Sequence, residues 1–92
     1  MKPELKKIER ISKALGDSYR LQMLLAIKKG PNWMQCSALT EMFELAQSTV
    51  SHHLTQLTDA ELIIVEKDGR ATKYRVNEEV LSAYIEFLDR LR

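Results

Sequence analysis

The apolar residues of this chain keep a helical spacing of three and four as far as Leu57, and from Leu62 the pattern changes period. That single change sets the architecture: helices, then one β segment, then a last helix. Leu62 to Val65 is a largely β-branched run, Lys67, Asp68, Gly69 and Arg70 form a turn, and Thr72, Tyr74 and Val76 alternate with Ala71, Lys73 and Arg75. An Asp-Gly pair between two such segments is the strongest short-range signal of a β-hairpin.

The helical part divides at its turn residues. Pro3 suits a first helical turn, and Leu5, Ile8, Ile11 and Leu15 make one apolar stripe that Gly16 ends, with Lys6, Lys7, Arg10 and Lys13 largely on the other side. Asp17 or Ser18 is placed to cap a second helix, whose core candidates are Leu21, Leu24, Leu25 and Ile27; Gly30 and Pro31 close it, and Asn32 and Trp33 belong to a connector. Ser37 is placed to cap a short third helix that buries Leu39, Met42 and Phe43 and ends near Glu44. Val50, Leu54 and Leu57 define a fourth helix from about Gln47 to Asp59, so that two short helices flank a turn of about three residues, the outline of a helix-turn-helix. After the hairpin, Asn77 caps a final helix with Glu78 and Glu79 in its first turn, and Leu81, Tyr84, Leu88 and Leu91 form its stripe, widened by Val80, Ile85 and Phe87.

This order predicts a mainly α fold, an α+β winged helix in one domain over residues 1–92: a helix-turn-helix with a two-stranded β-hairpin wing. A helix that enters the DNA major groove needs one apolar side for packing and one side of short polar groups that can approach base edges. On the fourth helix Gln47, Ser48, Ser51, His52 and Thr55 lie away from the apolar stripe, and Thr49 adds a hydroxyl. Gln can read adenine bidentately, and Ser and Thr serve bases or phosphates. His52 and His53 are neighbours, about 100° apart on a helix, and so cannot chelate one metal as an i, i+4 pair can. His52 reads as a solvent or DNA contact and His53 as partly buried packing.

Composition bounds the rest. A chain of 92 residues buries only about two-thirds of its unfolded surface, which makes one copy marginal. Its 45% apolar and 29% charged residues exclude a disordered tail, a collagen-like chain or a disulfide scaffold. Cys36 is the single cysteine, and no apolar run exceeds five residues, so neither a secretory signal nor a membrane span is built from them; the expectation is a cytoplasmic protein with no membrane contact. The formal charge of +1 conceals a segregation. Eight of the 14 basic residues lie within positions 1–29, four between Lys67 and Arg75 and two at the end, whereas residues 30–66 hold five acids and no Lys or Arg. Any phosphate contacts must therefore come from the flanks: Arg70 and Lys73 on the wing, joined by Lys67 and Arg75, and Arg20 with the bases of the first helix.

The stretch AQSTVSHHLTQL, preceded by KALGDSYRLQML and followed by DGRATKYRV, resembles the ArsR/SmtB family of winged-helix transcriptional repressors over nearly the whole chain. An S-x-V-S-x-H-L core matches at Ser48, Val50, Ser51, His53 and Leu54, and a second-helix signature at Ala14, Leu15, Asp17, Arg20 and Leu21. The resemblance implies a homodimer that binds operator DNA and blocks transcription until an inducer changes its conformation. Metal-sensing members commonly carry Cys-x-Cys entering the third helix, or Asp-x-His with later His and Glu in the last helix. Here Met34 stands at the first thiol position, only Cys36 at the second, and no His follows His53, so no metal and no cofactor is expected. Glu44 stands where the family often has Gly, and Ala46 where it often has a capping Ser or Thr, a loss of about 1 kcal/mol unless Ser48 or a neighbouring backbone group substitutes. Cys36 reads first as a packing thiol and second as a redox-active one.

The leading reading is a homodimeric regulator, a repressor released by a non-metal signal, that binds double-stranded DNA at an inverted repeat. Leu5, Ile8, Leu81, Tyr84, Leu88 and Leu91 are assigned to its dimer interface, although packing within one chain competes for some of them. The second is a winged-helix protein-interaction module using the acidic middle. Catalysis is the weakest, since no carboxylate is placed to orient a base and no Gly-rich phosphate loop is present.

Overall fold

A computed structural model describes residues 5–92, so the Pro3 start signal lies outside the described residues. The order is α1 (Leu5–Ala14), α2 (Ser18–Lys29), β1 (Met34–Gln35), α3 (Cys36–Phe43), α4 (Gln47–Asp59), β2 (Ile63–Asp68), β3 (Ala71–Val76) and α5 (Glu78–Asp89). The predicted winged-helix order is present. The wing is broader than the hairpin expected, because β1 joins it as a third antiparallel strand and places β3 in the centre. Met34 pairs with Tyr74 and Gln35 with Lys73, while β2 pairs with β3 from Ile63 opposite Val76 to Asp68 opposite Ala71.

Local chemistry explains most boundaries. Asp17, not Ser18, caps α2, its carboxylate accepting the N–H groups of Tyr19 and Arg20 at 2.9 and 3.1 Å. Gly30 ends that helix, its N–H donating to Ala26 C=O at 2.9 Å, and a Cβ there would collide with Met34 Cε. Asn77 caps α5 by accepting from Val80 N–H at 3.3 Å. The hairpin turns through Gly69, at φ 63°, and Arg70, with Gly in the first central position as a type II′ turn requires. The end of α4 is a Schellman closure, Leu62 N–H to Leu57 C=O at 3.1 Å and Glu61 N–H to Thr58 C=O at 2.8 Å, with Glu61 itself left-handed at φ 63°.

The core joins Ile8, Ile11 and Ala14 of α1 to Leu39, to Val50, Leu54 and Leu57 of α4, and to Ile63, Tyr74 and Val76 of the sheet. In α2 the buried residues are Met23 and Ile27; Leu24 is half-buried, and Leu21 and Leu25 are exposed, contrary to their assignment to the core. The α2 face turned to α4 and β3 carries Met23 and Ile27, leaving Leu21 and Leu25 on the opposite side. In α3 only Leu39 is fully buried and Phe43 half-buried, whereas Met42 is exposed. Ser37 lies inside α3 rather than before it: Gln35 holds the cap position, and no side chain caps the helix.

Candidate nucleic-acid interface

Helix α4 is fixed from beneath and open above. Val50, Leu54 and Leu57 are wholly buried, and this stripe commits the opposite side to solvent. Gln47, Ser48, Thr49, Ser51, His52 and Thr55 are all exposed there. The Thr55 hydroxyl donates to Ser51 C=O at 2.9 Å, so in this state it keeps only acceptor capacity, which a base amino group can use and a phosphate oxygen cannot. No side chain caps α4. The Ala46 carbonyl accepts from Thr49 and Val50 N–H at 3.0 and 3.1 Å, and Ser48 takes no capping role.

The turn into α4 runs through Glu44, Leu45 and Ala46, and Glu44 adopts a left-handed conformation, φ 53° and ψ 37°. That backbone state is the physical reason Gly suits this position.

Arg20 has a structural task. Its Nε donates to Ala14 C=O at 2.6 Å and its Nη2 to Lys13 C=O at 3.4 Å, closing the C-terminus of α1, while Nη1 lies 3.3 Å from His53 Nδ1 on α4. The guanidinium is therefore turned into the protein, away from the phosphate role the sequence gives it. His53 is mostly buried as predicted, 4.0 Å from the Asp17 carboxylate and tilted against the Tyr19 ring at 5.9 Å. Sequence reasoning missed this Asp17, Arg20, His53 cluster as a unit; the matches of all three to one family pattern were the available signal.

On the wing, Arg70 is exposed at the tip. Lys73 is half-buried, 3.4 Å from Glu66 and 5.0 Å above the Trp33 ring, and Arg75 stacks on the same ring at 5.1 Å. Trp33, read from sequence only as a connector residue, thus holds two wing cations on the outer sheet face.

The residues assigned to dimerisation divide into two groups. Ile8 and Tyr84 lie in the core, and the Tyr84 hydroxyl shares a 2.9 Å hydrogen bond with Ser12 that ties α5 to α1. Leu5, Leu88 and Leu91 are exposed, at 72, 43 and 70%, and Leu81 is half-buried. Cys36 is half-buried at the start of α3, beside Tyr74, whose hydroxyl is pushed above its ordinary pKa by burial first and by the nearby thiol second. Among the described residues no three His, Cys, Asp or Glu side chains converge as a metal site, and no helix is long and apolar enough to cross a membrane.

A short helix, a tight turn and a second helix with a polar face raised on an apolar stripe, flanked by a basic hairpin, define a winged helix-turn-helix DNA-binding regulator. A family model described as "Bacterial regulatory protein, arsR family" matches residues 17–65, from the α2 cap into β2. The arsenical resistance operon repressor of Staphylococcus aureus is 36% identical over 84 residues, covering 91% of this chain and 79% of that protein. Among solved structures, HlyU from Vibrio cholerae is 29% identical with a TM-score of 0.75, covering 99% of this chain and 97% of that one. The homodimeric winged helix-turn-helix domain Mb0332 from Mycobacterium bovis, 24% identical with a TM-score of 0.77 over 95% of this chain and 80% of that one, shares the fold. The chain belongs to the ArsR family of bacterial regulatory proteins; it is a DNA-binding transcriptional regulator and not an enzyme.

Proposed function

We propose that the chain acts as a homodimeric repressor that reads an inverted-repeat operator, with one α4 in each of two major grooves about one helical turn, roughly 34–36 Å, apart. One observation carries this reading: all six polar residues assigned to base reading stand exposed on an α4 whose opposite stripe is fully buried. The wing adds Arg70 at its tip, with Lys73 braced behind it. Leu5, Leu88 and Leu91, with Leu81, form the apolar surface that a second copy covers, in keeping with the homodimer described for Mb0332. Release follows a signal other than a metal ion, since one thiol cannot by itself supply the several soft ligands of a thiolate site. The 92 residues work as one winged unit.

Fluorescence anisotropy on duplex fragments from the chain's own upstream region, titrated from 50 to 200 mM salt, tests the proposal. Binding is expected to fall steeply with salt, and Ser51→Ala to weaken operator binding by about tenfold with little effect on unrelated DNA, the low end of the value of a base contact. Failure to bind any fragment at low salt would favour the protein-interaction module.

A further inference from the structure

Helix α4 carries no Lys or Arg, and neither does the rest of residues 30–66, so the phosphates bordering its groove need cations from another element. The structure supplies them alongside. Helix α1 runs antiparallel to α4: Lys7 near its start is 3.5 Å from Glu61, just past the end of α4, and the carbonyls at its C-terminus are joined through Arg20 to His53 in the middle of α4. Between the two helices lies an open cleft of about 690 Å³. Lys6, Arg10 and Lys13 line its α1 wall, spaced four and three apart and hence on one side of the helix; Gln56 and Asp59 line its α4 wall.

We propose that this cleft seats the DNA backbone strand that borders the major groove read by α4, with Lys6, Arg10 and Lys13 as its phosphate contacts. The inference rests on the DNA-binding reading above. Packed helices lie about 8–10 Å apart, and the major groove is about 12 Å wide, so a helix lying beside the reading helix stands over the groove's edge, where the phosphates are. All three side chains are exposed. Two acids share the cleft: Glu9, whose carboxylate is 3.5 Å from Lys13, and Asp59 at the end of α4. Arg20 also borders the cleft, and although its N–H groups are directed to carbonyls and His53, its charge remains, so four cations stand against two acids. The contacts are independent of base sequence, and the division of labour is therefore clear: α1 supplies salt-dependent affinity and α4 supplies discrimination.

The test is the salt dependence of a variant carrying Lys6→Gln, Arg10→Gln and Lys13→Gln, which keeps polar side chains on exposed positions. Each neutralised phosphate contributes about 0.9 to the slope of log K against log salt, so a dimer losing three contacts per chain is expected to lose about 5 from that slope, with its ratio of operator to unrelated-DNA affinity kept. Arg10→Gln alone should lose about 2, which keeps the test open if the triple variant dissociates in sedimentation. A wild-type slope in both variants, at a wild-type affinity, overturns the proposal and leaves the DNA-binding reading intact. Wild-type protein that binds no duplex at low salt overturns both.

Discussion

Asp17 combines three roles in one carboxylate. It caps α2, it holds the backbone of Arg20 where the guanidinium can close α1, and it faces His53 on the reading helix at 4.0 Å. The N–H of Arg20 holds its pKa below the ordinary carboxylate value, opposed by desolvation and reinforced by the charge of Arg20 and by His53. A carboxylate whose folded pKa is depressed stabilises the fold above its unfolded pKa, and this contribution is lost as pH falls from about 4 through the folded value. Asp17→Asn keeps a capping oxygen but no titrating group. Urea midpoints measured from pH 7 down to pH 3 are therefore expected to fall less steeply for Asp17→Asn than for the wild type, whereas Asp17→Ala, which loses the cap too, starts lower at pH 7.

At the scale of elements, the turn between α3 and α4 carries a conformational cost that a substitution can remove. Glu44 is left-handed at φ 53° and exposed, with no hydrogen bond or ion pair from its side chain among the described residues. The left-handed state costs a side-chain-bearing residue about 1–2 kcal/mol, and Gly returns part of this through its freer unfolded chain, so Glu44→Gly is expected to stabilise the protein by about 0.5–1 kcal/mol in denaturant unfolding. How well each element could be read follows from how much of it local chemistry decides. Helix α4 was legible because three apolar residues stand among polar ones, and the hairpin because Gly69 marks its turn. Helix α2 was not, because Leu21, Met23, Leu24, Leu25 and Ile27 put apolar side chains on almost every side, and only packing against α4 and β3 decides which are buried. Strand β1 has two residues and exists through its pairing with β3. Among the site residues, exposure along α4 followed from periodicity, but whether an Arg faces phosphate or a carbonyl is a tertiary fact, and Arg20 shows the second outcome.

At the scale of the whole molecule, charge and apolar surface are separated in a way that a single copy does not use fully. Cations lie on α1 and the wing and none on α4, while Ile85, Leu88 and Leu91 face solvent, as does Leu5. A buried Leu contributes roughly 1.5–3 kcal/mol, and a two-fold interface counts each position twice. Leu88 is already partly covered, at 43% exposure, so its further burial lies at the low end of that range. Leu88→Glu adds the cost of burying a carboxylate in both copies. Its dimer dissociation constant is expected to rise by at least a hundredfold, about 2.7 kcal/mol, in sedimentation equilibrium. The thermal midpoint of the wild type should rise with protein concentration, and that of Leu88→Glu should not, because a separated chain no longer gains stability by mass action. A full-length operator should lose its advantage over a single half-site for this variant, since two reading helices no longer arrive as one body. If Leu88→Glu remains a dimer with wild-type affinity, the second copy binds some other face, and the exposed Leu21 and Leu25 of α2 would be the next apolar pair to substitute.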